Sequence, residues 1–71
     1  MKEELALKIN SLSLNNQRSF YERLYNVLDD RLSCILYGLT KSDYVSLPKE
    51  KVERVEEKLY NEMFEIKKNK N

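Results

Sequence analysis

Apolar residues recur at three- and four-residue steps along nearly the whole of this chain, and this helical period constrains its fold more than any other feature. The sequence offers few places to interrupt the period, because its only glycine is Gly38 and its only proline is Pro48. We therefore expect an all-α protein. A length of 71 residues allows a single small domain, spanning residues 1–71.

The apolar pattern divides the chain into three helical segments. The first is short and covers residues 2–12, the second runs from about residue 16 to residue 37, and the third covers residues 48–66. Gly38 is placed as a left-handed C-cap of the second segment, and Pro48 suits the first turn of the third. The pattern predicts a helical hairpin of two long helices with a short N-terminal helix across it, the second segment being about 33 Å long.

Some helix boundaries stay open at this level. Three residues can each cap the start of the second segment by accepting a backbone hydrogen bond: Ser13, Asn15 and Asn16. For the third segment, either Ser46 or Leu47 can take the cap position. Between the two long helices, residues 42–44 are expected to form a short turn of helix.

The two long helices carry apolar stripes of unequal width. The stripe of the second segment covers roughly half of the helix and consists of Phe20, Leu24, Val27, Leu28, Leu32, Ile35 and Leu36. The third carries a narrow seam of Val52, Val55, Leu59, Met63 and Ile66. The mismatch leaves apolar surface without a partner inside the chain. We expect the protein to cover that surface by pairing into a homodimeric four-helix bundle or by docking on a larger partner.

Most catalytic and metal-binding chemistry is excluded by composition. The chain has one cysteine and no histidine, so it cannot form an internal disulfide, a zinc finger or a histidine-based active site. A single glycine cannot build a phosphate-binding loop. Cys34 lies on the apolar side of its helix and is expected to be a buried structural thiol. We expect no enzyme activity, no cofactor and no metal.

The charge of the chain is close to neutral. Lysine and arginine number 13 and aspartate and glutamate 12, for a net charge of +1, which argues against a dedicated nucleic-acid binder and against an acidic DNA mimic. Residues 67–71 are expected to form a basic flexible tail, in which Lys67, Lys68 and Lys70 can give weak nucleic-acid contact at most. The chain has no apolar run long enough for a membrane span and no signal-peptide pattern after Met1, so we expect a cytoplasmic protein.

Aromatic and arginine residues mark a candidate partner surface. Tyr21, Tyr25 and Tyr44 each lie at the edge of an apolar stripe, and tyrosine at such partly exposed positions is typical of interfaces. Phe20 and Phe64 are better placed for the core. We expect partner binding through the three tyrosines, together with Arg18 and Arg23.

One combination of motifs resembles the helical domain of GINS-type replication proteins. The motifs are Arg18-x-Phe20-Tyr21-x-Arg23-Leu24, then Arg31-Leu32-x-x-Ile35-Leu36, then Leu47-Pro48-x-Glu50 at the start of a helix rich in Glu and Lys. The small, glycine-poor helical chain is also similar to accessory subunits of archaeal family-B DNA polymerases. The resemblance implies a helical subunit that assembles with replication proteins. With 71 residues, we expect the chain to lack the small second domain that GINS subunits carry.

Two functional hypotheses follow. In the first, the chain is a non-catalytic accessory or adaptor protein that docks on a larger intracellular complex, with DNA-replication machinery such as a polymerase as the expected setting. In the second, it is a homodimeric four-helix-bundle adaptor or regulator of viral or plasmid type, with weak nucleic-acid binding. The two differ in whether the unpaired apolar surface meets a different protein or a second copy.

Overall fold

The computed structural model describes residues 1–65, and in these residues it contains five α-helices and no strand. The helices are α1 Glu3–Asn10, α2 Leu14–Asp29, α3 Arg31–Leu36, α4 Lys41–Ser46 and α5 Lys49–Phe64. The two long helices, α2 and α5, have 16 residues each, and α1 is the short N-terminal helix. The expected all-α hairpin with a short N-terminal helix is therefore confirmed.

The predicted second helix is divided in two at Asp30, and the expectation of one continuous helix was wrong. Asp30 has extended backbone angles (φ −108°, ψ 114°) and caps α3, where its carboxylate accepts hydrogen bonds from the Leu32 amide (3.3 Å) and the Ser33 hydroxyl (2.8 Å). An aspartate is unfavourable near the C-terminus of a helix but favourable at the start of the next one. These two preferences explain why the chain ends α2 at Asp29 and begins again at Arg31.

The break changes which residues of the expected apolar stripe are buried. Phe20, Leu24 and Val27 of α2 lie in the core as predicted. In α3, however, Leu32 and Leu36 are 71% and 76% exposed, and Ile35 is also exposed, so these three residues belong to the apolar surface that was expected to lack a partner inside the chain. A helix that restarts after an extended residue does not keep the rotational register of the helix before it, and the three-to-four-residue spacing therefore no longer describes one face.

The turns between helices use specific capping residues. Ser13 caps α2 by accepting a hydrogen bond from the Asn16 amide (3.2 Å), which decides between the three candidates. Gly38 follows α3 with a φ of 104°, as expected for a left-handed position. Leu47 ends α4 in the left-handed region (φ 46°), and Pro48 takes the cap position of α5, one residue beyond the nearer predicted cap.

The connector between the two long helices is a helix in its own right. The predicted turn at residues 42–44 is extended to Lys41–Ser46 by a capping box at Thr40. The Thr40 hydroxyl accepts from the Asp43 amide, and the Asp43 carboxylate accepts from the Thr40 amide, each at 3.1 Å. The ammonium of Lys51 on α5 also donates to Asp43, at 2.8 Å, so the same carboxylate joins α4 to α5.

The core lies where α1, α2 and α5 meet, and the α2–α3 junction closes one end of it. Its buried residues are Leu5, Ile9, Phe20, Leu24, Val27, Cys34, Leu39, Val55, Leu59 and Tyr60. Val52 and Met63 of the predicted α5 seam are half-buried, and Ile66 lies outside the described residues. Cys34 is fully buried, as predicted, and its thiol donates to the Val27 carbonyl across the break (3.2 Å).

Candidate interaction surface

An open groove of about 410 Å³ runs along the outward face of α2. The residues that line it come from this one helix and recur at helical spacing: Leu14, Gln17, Arg18, Tyr21, Glu22 and Tyr25. The buried face of α2 is apolar, whereas this face mixes apolar, aromatic and charged side chains.

The two ends of the groove are exposed apolar residues, and its middle is anchored in the core. Leu14 is 77% exposed and Tyr25 is 69% exposed. Tyr21 is half-buried, and its ring packs edge-on against Phe20 with 5.4 Å between centroids. Phe20 in turn packs against Tyr60 of α5 at 6.3 Å, so the aromatic core holds Tyr21 in position from below.

Gln17 fixes the end of the groove at which α2 begins. Its side-chain amide donates to the carbonyl of Leu12 (3.0 Å) and, more weakly, to that of Asn10 (3.4 Å). Leu12 lies in the turn between α1 and α2, and Asn10 is the last residue of α1. The start of α2, and with it Leu14, is therefore tied to the end of α1.

The structure brings together three of the five predicted partner-binding residues. Arg18, Tyr21 and Tyr25 share the groove, whereas Arg23 lies on another face of α2 and lines a polar cleft of about 590 Å³ with Asp30 and Tyr37. Tyr44 is not among the groove residues. It is half-buried, and its hydroxyl donates to the carbonyl of Asp29 (3.0 Å), so its hydroxyl is engaged in holding α4 against the end of α2.

Sequence reasoning missed three residues of this surface, namely Leu14, Gln17 and Glu22. Leu14 lies in the stretch before the predicted start of the second segment, and the pattern assigned no role to Gln17 or Glu22. The signal was present in the spacing, because Leu14, Arg18 and Tyr21 stand at i, i+4 and i+7, and Tyr25 follows at i+11. The candidate nucleic-acid residues Lys67, Lys68 and Lys70 lie outside the described residues, and their role stays a prediction.

A buried carboxylate, that of Glu56, lies away from the groove on α5. Glu56 is 7% exposed, and within residues 1–65 its Oε1 atom has no hydrogen-bond partner. Burial raises the pKa of Glu56, and the charge of Glu53 adds to the shift, while the ammonium of Met1, 3.7 Å from Oε1, opposes it. In contrast, the hydrogen bonds from Lys51 and Thr40 lower the pKa of Asp43 to about 2.

The described part of the chain contains no cluster of three or more His, Cys, Asp or Glu side chains that could hold a metal ion. Among its helices, none has both the length and the apolar character that crossing a membrane requires. No family model, no curated protein and no solved structure matches this chain.

Proposed function

We propose that this chain is a non-catalytic helical adaptor that docks on a helix of a larger intracellular complex through the outward face of α2. The observation that carries the proposal is the alignment of Leu14, Arg18, Tyr21 and Tyr25 along one open groove. Aromatic residues and arginine are enriched at protein interfaces. Exposed apolar residues that form a contiguous row have functional significance that scattered ones do not have.

The shape of the groove favours a helix as the docked element. From Leu14 to Tyr25 the row is about 17 Å long, or about three helical turns. An amphipathic helix that lies along such a row presents its own apolar residues at the same spacing. Leu14 and Tyr25 would anchor its two ends, and Arg18 would pair with an acidic side chain near its middle.

The proposed setting is DNA-replication machinery, and this part rests on the resemblance to GINS-type helical domains and polymerase accessory subunits. The first GINS-like motif lies entirely within α2. Its Phe20 and Leu24 are buried, whereas Arg18 and Arg23 are exposed and Tyr21 is half-buried. The motif thus combines core residues with residues that a replication partner can reach.

Affinity purification from the native host tests the proposal. The tagged chain should recover one partner in stoichiometric amount at moderate salt, and mass spectrometry identifies that partner. The Tyr25→Asp variant should lose it, because a charge replaces the exposed aromatic anchor. Leu7→Asp is the matched control, since Leu7 is 66% exposed on α1. Loss of the partner in both variants, or in neither, would remove the α2 groove from the proposal.

A further inference from the structure

We infer that in the free protein the α2 groove is occupied by α2 of a second copy, in an antiparallel homodimer that a partner helix must displace. This inference rests on the proposed function in one respect, namely that the outward face of α2 is the docking surface. It goes further by naming the occupant and the geometry. The observation that supports this pairing is the order of the groove residues along the helix.

The spacing of the groove residues along α2 is the same in both directions of the helix. Its central row, Leu14, Arg18, Tyr21 and Tyr25, advances by four, three and four residues. A two-fold axis that crosses the helix pair between residues 19 and 20 therefore sets Leu14 opposite Tyr25 of the second copy, and Arg18 opposite Tyr21 of the second copy. A two-fold interface requires a surface that is complementary to itself in this way.

The chemistry of the paired residues is complementary as well. Leu14 and Tyr25 of the second copy are an aliphatic and an aromatic side chain, both largely exposed in the single chain. Arg18 faces the ring of Tyr21 of the second copy, which is a cation–π pair. Glu22 also lines the groove, and the same axis sets Glu22 of the second copy opposite Gln17, beside Arg18, so the guanidinium has a carboxylate within reach.

The alternative parallel arrangement opposes like charges. In a parallel pair in register, Arg18 would face Arg18 of the second copy, and Glu22 would face Glu22. Like charges at a close helix contact are destabilising. The antiparallel arrangement avoids both contacts and replaces them with two equivalent pairs of opposite charge.

The dimer is expected to be weak, because the contact is short. A row of about 17 Å on one helix buries less than a standard interface does, which places this dimer among the small, transient interfaces. A dimer of this strength protects the exposed apolar row in the free protein. It also yields to a partner helix that binds the same groove more tightly.

Sedimentation equilibrium of the full 71-residue chain, over a wide range of concentrations, tests the inference. We expect a monomer–dimer equilibrium. Arg18→Glu and Glu22→Arg should each weaken it at least tenfold by opposing like charges across the axis. The double variant Arg18→Glu/Glu22→Arg should restore it to near the original strength. Arg23→Glu makes the same charge change at an exposed position of α2 outside the groove, and it should leave the equilibrium unchanged.

Three results would overturn the inference. The chain could remain monomeric up to about 1 mM, Arg18→Glu could leave the dimer dissociation constant unchanged, or the double variant could dimerise as weakly as the single variants. Circular dichroism melting of each variant at low concentration confirms that the monomer is folded. The two proposals fail separately. A monomer that still captures a partner through Tyr25 overturns the dimer alone, and a charge-swappable dimer that captures no partner overturns only the adaptor function.

Discussion

The hydroxyl of Tyr44 donates a hydrogen bond to the backbone carbonyl of Asp29, at 3.0 Å. Asp29 is the last residue of α2, where carbonyl groups have no partner within the helix. The contact thus satisfies a helix-terminal acceptor and at the same time joins α4 to the end of α2. A residue that the sequence presents as an interface tyrosine has a hydroxyl already engaged within the fold.

Replacement of Tyr44 by phenylalanine tests this contact. The change keeps the ring and removes the donor, so the free energy of unfolding should fall by about 0.5–1 kcal/mol, the usual net value of one hydrogen bond. Urea denaturation measures it. Tyr25→Phe is the control, and it should change stability little, because Tyr25 is 69% exposed. Equal effects of the two changes would contradict the assigned contact.

Replacement of Glu56 by glutamine should stabilise the protein at pH 7. Burial raises the pKa of Glu56 in the folded state, so the ionised carboxylate there costs stability at any pH above that raised pKa. Glutamine keeps the shape and removes the charge.

The stability gap between Glu56→Gln and the original protein should also depend on pH in a definite direction. It should be largest at neutral pH, narrow as the pH falls through the raised folded pKa, and close below about 4, where the unfolded carboxyl is also protonated. Urea titrations at several pH values measure it, with Glu57→Gln as the exposed control. A gap that widens as the pH falls would contradict the raised pKa.

The contribution of Asp43 to stability should have the opposite pH dependence. Its pKa is lowered to about 2, chiefly by the hydrogen bond from Lys51 and then by those from Thr40, so its ionised form favours the folded state. That contribution is complete above the ordinary aspartate pKa of about 4 and is lost as the pH falls from there toward 2. Asp43→Asn should therefore lower stability at pH 7 and flatten the acid side of the stability curve. Thermal melts between pH 2 and pH 7 would show an unchanged slope if the carboxylate had no such role.

Removal of the cap at the α2–α3 break gives a further prediction. Asp30→Ala deletes the acceptor of the Leu32 and Ser33 hydrogen bonds and should cost about 1 kcal/mol. Far-ultraviolet circular dichroism should show no gain of helix, because the buried Cys34 and Leu39 hold the chain after the break in place. A stabilised variant with more helix would mean that the break follows from Asp30 alone and not from packing.

These residues also show how far the sequence predicts the fold. The apolar period predicts the two long helices, the short first helix and the left-handed Gly38. It does not predict the break at Asp30, because apolar residues continue at helical spacing on both sides of it. The break is held by the hydrogen bonds of Asp30 together with the burial of Cys34 and Leu39, and the apolar period shows neither of them.

The sequence likewise predicts some residues of the candidate surface and misses others. Tyr21 and Tyr25 can be assigned from their place at the edge of a stripe. The hydrogen bond of Tyr44 to Asp29 joins residues 15 positions apart, and its formation depends on the break that the period does not reveal. Leu14 was missed because one residue, Ser13, decides where the helix starts, and three neighbouring residues offered equally good caps.

The reactivity of the buried Cys34 thiol can be used to measure how often the α2–α3 junction opens. A thiol reagent can reach this sulfur only when α3 lifts away from α2, since Cys34 is fully buried and donates to the Val27 carbonyl. Burial also raises the pKa of Cys34 and leaves less of the reactive thiolate at neutral pH. The rate at which the native protein is alkylated, compared with the rate for the urea-unfolded chain, therefore gives the opening equilibrium of this junction without any introduced label.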